Sequence, residues 1–204
     1  MSRSISRILW VITLGLATGL ATFTLAADEA KPAEPKPDAK PTTQPKVIEL
    51  FNGKDLTGWG YKNGETFDGK TEASDKRYTA KDGMIVVNPG KGLAQLWTTA
   101  KFPKDFELHV EFRAAVNADS GIFIRGPQLQ CRDYLVAGPY KTLKKYKPQE
   151  WNEIVVVVKG NVAHCTCNGE VLEDALKVPD TGGIGLEADR GQMEYRNLRL
   201  IETP

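Results

Sequence analysis

From Phe106 to Arg113 apolar and polar residues alternate without a break: Phe106, Leu108, Val110 and Phe112 on one parity, Glu107, His109, Glu111 and Arg113 on the other. A period of two predicts a strand with one face in a core and one polar face. Ile122 and Ile124 alternate with Phe123 and Arg125, Ile154 to Val158 is a β-branched run, and Ile184 and Leu186 lie in a Gly-rich alternation. Turn signals separate these runs: Asn52-Gly53, Asn63-Gly64, Asp68-Gly69, Asp82-Gly83 and Asn168-Gly169. Glu170 to Lys177 and Tyr140 to Tyr146 each predict one or two helical turns, and no stretch predicts a long amphipathic helix. Many short strands with loop-rich connections predict an all-β fold, two antiparallel sheets packed as a β-sandwich of jelly-roll type.

This pattern begins only at about Val47. Residues 1–27 carry a basic start (Arg3, Arg7), an apolar run from Ile8 to Leu25 and small residues before Asp28. They read as a signal peptide, which predicts a periplasmic or secreted protein with no membrane span after cleavage. An uncleaved leader would instead leave it membrane-anchored. Residues 28–46 hold five prolines (Pro32, Pro35, Pro37, Pro41, Pro45) among Lys and acidic residues, with no large apolar side chain. Such a segment buries too little to offset its ordering entropy and reads as an extended, disordered linker. One domain, residues 47–204, remains, long enough for a sizeable core.

Charge narrows the partners. Lys plus Arg (27) and Asp plus Glu (26) nearly cancel, so no global positive field exists to hold nucleic acid by counterion release. The three cysteines cannot all pair: Cys131 either bridges to Cys165 or Cys167, or all three are small buried hydrophobes. No CxxC spacing supports a thiolate metal site.

Familiar catalytic signatures are missing: there is no GxSxG elbow, no GxxxxGK[ST] loop and no GxGxxG after a strand. What remains is polar company on strands. His109 and Glu111 share a face; Arg125, Gln128, Gln130, Asp133, Glu187 and Asp189 come from segments of similar strand length, and these groups are expected to converge on one concave sheet. The alternative is a solvated sheet face on which Arg125 pairs with Glu111 or Glu187. Trp151 is expected in the core with Asn152 satisfying a turn, and Trp59 and Trp97 read as core or edge aromatics.

Six segments in order carry a resemblance: LFNGKDLTGW (50–59), FELHVEFR (106–113), DSGIFIRG (119–126), EWNEI (150–154), CNG (167–169) and GGIGLEADRGQMEYRNLRL (182–200). Together the chain resembles the 3-keto-disaccharide hydrolase domain family across nearly all of residues 47–202. The resemblance implies a concanavalin A-like jelly roll that handles carbohydrate and, among its members, hydrolysis or elimination of glycosides oxidised at C3. The matching positions are Glu111, Arg125, Gln130, Asp133, Trp151, Asn152, Arg196 and Asn197. The chain departs from the family after the IGL strand. In place of a Gln followed by His-Gly it reads Glu187, Ala188, Asp189, Arg190, Gly191, and Glu187 and Asp189, on one face of a strand, are the candidate replacements.

Three function classes follow. An enzyme on a 3-keto-glycoside would use Glu111, Arg125, Asp133 and Glu187 in catalysis, with His109, Gln130 and Asp189 binding substrate. His109 is also a candidate base, and Arg125 or a divalent metal held by carboxylates would stabilise the developing oxyanion. A non-catalytic, lectin-like module would use the same amides, Arg and aromatics to bind glycan hydroxyls. An ordinary glycosidase of the laminarinase sort is least supported, since the ExDxxE strand is absent.

Overall fold

The computed structural model describes residues 44–90, 95–136 and 138–203. The leader, residues 1–27, and residues 28–43 of the linker lie outside the described residues. In chain order the strands begin with β1 (Lys46–Glu49), β2 (Trp59–Gly60), β3 (Tyr78–Lys81), β4 (Met84–Val87) and β5 (Leu96–Thr98). The long β6 (Phe106–Ala114) follows, then β7 (Asp119–Ile124), β8 (Gln128–Arg132) and β9 (Asn152–Lys159). The last four are β10 (Val162–Cys167), β11 (Glu170–Lys177), β12 (Ile184–Leu186) and β13 (Met193–Glu202). No helix occurs among the described residues, so none is long and apolar enough to cross a membrane.

Two antiparallel sheets result. The larger runs β11-β10-β9-β6-β13-β4-β3, with β1 also paired to β13; the smaller runs β2-β5-β12-β7-β8. In β6 the alternation holds without exception: Phe106, Leu108, Val110, Phe112 and Ala114 are buried, and the residues between them are half-buried on the outer face. From the smaller sheet Leu96, Ile122, Ile124, Leu129, Ile184 and Leu186 face them. Each such side chain contributes roughly 1.5–3 kcal/mol by leaving water. Two buried hydrogen bonds tie the layers: the Tyr78 hydroxyl donates to the Leu186 carbonyl (2.9 Å), and the hydroxyls of Ser120 and Tyr195 share a bond of 3.1 Å.

Turn chemistry joins the strands as the dipeptides suggest. Asp82 (φ 51°) and Gly83 (φ 76°) link β3 to β4, and Asn168 (φ 48°) and Gly169 (φ 77°) link β10 to β11. Both central residues are left-handed in each turn, which Asn, Asp and Gly tolerate best.

Three expectations change. Glu170–Lys177 is not helical but the edge strand β11; its charged residues, which break the alternation, are what protect an exposed sheet edge. Tyr140 to Tyr146 forms turns, with Tyr146 buried against Phe112 and Tyr134. Trp151 is not in the core: it lies on the outer face of the larger sheet, with Arg196 3.9 Å and Arg113 4.9 Å from its ring centre. Asn152 does satisfy a turn, accepting from the Lys147 N–H and donating to the Lys147 and Glu150 carbonyls. Cys131, Cys165 and Cys167 are free thiols in the core.

Candidate functional site

The seven candidate residues do not share one face. His109 and Glu111 project from β6 on the outer side of the larger sheet, so the sandwich core separates them from the smaller sheet. There the Nδ1 and Nε2 of His109 lie 2.9 and 2.6 Å from carboxylate oxygens of Glu153 and Glu107. Glu111 accepts from Arg196 Nε and Asn197 Nδ2, both at 2.7 Å. Burial pulls the Glu111 carboxyl up, and those two hydrogen bonds together with the Arg196 and Arg199 charges outweigh it, leaving it below the usual carboxylate value.

Arg125 is not the centre of a polar face. It follows β7 at φ 56°, a left-handed backbone uncommon outside glycine, and this turns its side chain to the end of the sandwich. Its guanidinium donates to the carbonyls of Lys104 (2.6 Å), Gly160 and Pro179 (3.1 Å each) and lies over the Phe106 ring. Arg125 thus ties together three connections that close that end. Asp133 is also inward: it is buried and accepts from the Asn117 N–H (3.1 Å), the Tyr146 hydroxyl (3.2 Å) and Gln149 Nε2 (3.2 Å).

The remaining three, Gln130, Glu187 and Asp189, belong to the outer side of the smaller sheet. Pairing fixes three rows of residues across it. One runs Gln128, Phe123, Gly185, Trp97, Gly60. The next runs Gln130, Gly121 and Glu187, the last joined to Gly121 by its backbone N–H (3.0 Å). The third runs Arg132, Asp119 and Arg190, and Asp189 lies in the chain between Glu187 and that bridge. The two glycines form the floor. A Cβ on Gly185 would stand 2.9 Å from the Trp97 ring, and one on Gly121 would stand 2.2 Å from Gln128 Nε2. Their absence lets the indole lie flat over β12 and lets Gln128 cross to donate to Glu187.

Glu187 is 7% exposed. Burial raises its pKa first, the Asp189 charge raises it further, the Gln128 hydrogen bond opposes this, and Asp119 adds to the rise. Arg132 pairs with Asp119 (3.0 Å) and donates to Gln130 Oε1 (3.3 Å). Beside this polar group Trp97 and Phe123 pack at 5.2 Å between ring centres, and beyond Trp97 opens a cavity of about 450 Å³. Among the described residues no three His, Cys, Asp or Glu side chains gather as a metal ligand set.

Sequence reasoning missed Asp119, Arg132, Trp97 and Phe123 as members of this face, and noted Gln128 without assigning it a role. The signal was present: period two from Gln130 reaches Gln128 and Arg132, and from Gly121 it reaches Asp119 and Phe123.

Residues 46–201 match the family of 3-keto-alpha-glucoside-1,2-lyase-like domains. The chain belongs to this family. No curated protein matches the chain. A solved structure from Parabacteroides distasonis, provisionally named a glycosyl hydrolase, has a TM-score of 0.61 at 19% identity and covers 78% of this chain and 94% of its own. A second from the same organism, with the same provisional name, scores 0.57 at 18% identity, covering 78% of this chain and 100% of that one. A Bacillus licheniformis beta-glucanase scores 0.51 at 12% identity, covering 80% and 100%. At these identities the likeness is one of fold, the glucanase-type jelly roll. With the family it makes this a carbohydrate-acting domain of glycosyl-hydrolase-like or glycan-binding type.

Proposed function

We propose that the lyase-like domain eliminates the C1 substituent of a 3-keto-glycoside, with Glu187 as base. The observation that carries this is a buried carboxyl with a raised pKa, set on a glycine floor between amide donors and an aromatic wall. A C3 ketone acidifies the C2 hydrogen. Glu187 takes that proton, and the C–H electron pair passes to the C3 oxygen as an enolate. Return of that pair forms the C1–C2 double bond and breaks the C1–O bond, and the proton on Glu187 is available to the departing oxygen. Water added to the product would complete a net hydrolysis. A carboxyl with a raised pKa is a stronger base than an ordinary one once ionised. Gln130, in the same row as Glu187, and Arg132, one row further along the same strand, are the donors for the enolate oxygen. Asp189 tunes Glu187 by its charge. In this reading Glu111, His109, Arg125 and Asp133 serve the fold.

The second reading, glycan binding without turnover, draws on the same face: Trp97 and Phe123 beside Gln128, Gln130 and Arg132 offer a ring platform with hydroxyl partners. The purified protein, incubated with 3-keto-glucosides and with unmodified glycosides, with and without divalent metals or EDTA, separates them by mass spectrometry of the products. Turnover confined to the keto compounds, lost in Glu187→Gln, supports the lyase; binding alone supports the module. We further propose that residues 1–27 act as a leader that sends either activity to the periplasm or outside the cell, which N-terminal sequencing of native protein tests: a start near Asp28 supports export, and an intact Met1 or Ser2 in the membrane fraction an anchor.

A further inference from the structure

The cavity beside Trp97 is lined by more cations than carboxylates. Lys62, Lys101 and Arg125 stand in its lining; the two lysines are exposed and have no ion-pair partner among the described residues, whereas the Arg125 guanidinium is held by the Lys104, Gly160 and Pro179 carbonyls. The carboxylate in that lining, Glu65, is engaged by the Ser74 hydroxyl (3.0 Å). The Tyr61 hydroxyl donates to Asp75 and so does not face the cavity as a free acid. Trp97, more than nine-tenths buried, contributes its indole to the same lining. The Lys62 ammonium sits 4.0 Å from the Trp97 ring centre, held there by the π-face.

These facts fit one kind of occupant. A ring laid against the indole takes the place the ammonium now holds, and Lys62, on its flexible stem, is then within reach of the ring's substituents. A substituent bearing negative charge would gain Lys62 and Lys101 together, against the single carboxylate of Glu65 in the lining. Trp97 also lies in the row directly next to Glu187, so the cavity continues the same face. We propose that it is the leaving-group subsite of that face, selective for glycosides whose departing ring carries a carboxylate, whether on an arene or on a second sugar. The inference rests on the reading of the Glu187 face as a 3-keto-glycoside site.

Binding tests the subsite without chemistry. The full chain is titrated by calorimetry at low salt with 4-carboxyphenyl α-glucoside, with phenyl α-glucoside, and with a glucosyl glucuronide against the matching neutral disaccharide. Two partly exposed charge contacts are expected to make at least one acid bind about 3- to 10-fold tighter than its neutral partner, with the preference fading as salt screens it. Lys62→Glu/Lys101→Glu should abolish the preference, and Lys62→Met/Lys101→Met, which removes charge without reversing it, should bring the ratio to near one. Both positions are exposed, and circular dichroism confirms the fold of each variant. Equal affinity for acid and neutral ligands, no measurable binding of either acid, or a preference that survives both double variants overturns the proposal. The 3-keto forms of the same compounds then separate it from the function on which it rests: a charge-dependent binding preference with no turnover leaves the subsite standing and removes the lyase.

Discussion

Gln128 lies across Gly121 and donates its side-chain amide to Glu187. One missing Cβ on β7 therefore sets the hydrogen bonding of a carboxylate on the neighbouring strand. The bond favours the ionised carboxylate, while burial and the charges of Asp189 and Asp119 favour the protonated acid, and the second group of effects wins.

Removing that bond should make the imbalance larger. Gln128→Ala deletes the donor, and Gly121→Ala places a methyl where the amide now lies, displacing a flexible side chain and leaving the backbone free. In both variants the Glu187 pKa rises further, so the acid limb of the kcat/KM profile moves to higher pH while the alkaline side keeps its position. A profile that falls uniformly in either variant, with its midpoint fixed, would show that Gln128 does not act through Glu187.

Glu187→Gln separates catalysis from stability. A positioned base contributes on the order of 10²- to 10⁴-fold, and turnover should fall by that much. Stability should change the other way. A carboxyl whose folded pKa is raised stabilises the fold fully below its ordinary value of 4.5 and loses that contribution as pH rises through the folded value. At pH 7 the glutamine variant, which has no charge to bury, should therefore melt above the native protein, with the difference vanishing below about pH 4. A variant that melts lower at pH 7 would assign Glu187 a structural ion pair instead.

Glu111 should behave in the opposite sense. Its pKa is lowered, so its contribution is present above the ordinary carboxyl value and lost as pH falls. Glu111→Gln keeps the shape but weakens the bonds from Arg196 and Asn197. A cost of about 1 kcal/mol is expected at pH 7, shrinking below pH 4.5, with turnover of the folded protein within twofold of native. A large loss of turnover with unchanged melting would return Glu111 to the list of site residues.

Much of this architecture is legible in the sequence because a strand in a two-sheet fold shows its burial as parity. Phe106 to Ala114 and Ile122 to Ile124 read directly, and the Asp82-Gly83 and Asn168-Gly169 turns follow from their backbone needs. Parity fails where the backbone adds a residue. In β13 Met193 and Tyr195 are buried on odd positions and Leu198 and Leu200 on even ones, because Asn197 adopts φ 51° at a bulge opposite β6. The bulge points Asn197 Nδ2 at Glu111, which no spacing rule reveals. The site suffered from a different limit. Parity says that His109 and Glu111 avoid the core and that Gln130 and Glu187 avoid it too, but a sandwich has two outer faces, and only strand pairing says which residues share one.

Arg125 shows the same limit most sharply, and its substitution decides between two roles. Read as an alternating strand, it belongs on the polar face; the left-handed turn after Ile124 instead sends it to the end of the sandwich, where its guanidinium holds the Lys104, Gly160 and Pro179 carbonyls. Lysine cannot span three carbonyls in a fixed plane as a guanidinium does. Hydrogen bonds from a charged donor are worth about 1.5–3 kcal/mol each, so Arg125→Lys should cost on the order of 3 kcal/mol, a fall in Tm of roughly 10 °C for a domain of this size. Assayed well below its transition, the variant should lose less than about tenfold in kcat/KM, since what it disturbs is the closure of the end and not the Glu187 row. An electrostatic contact to the reacting oxygen would give the reverse, a loss of about 10²- to 10³-fold in kcat with melting hardly changed. That result would give Arg125, which already stands in the lining of the cavity beside Trp97, a direct role on the substrate.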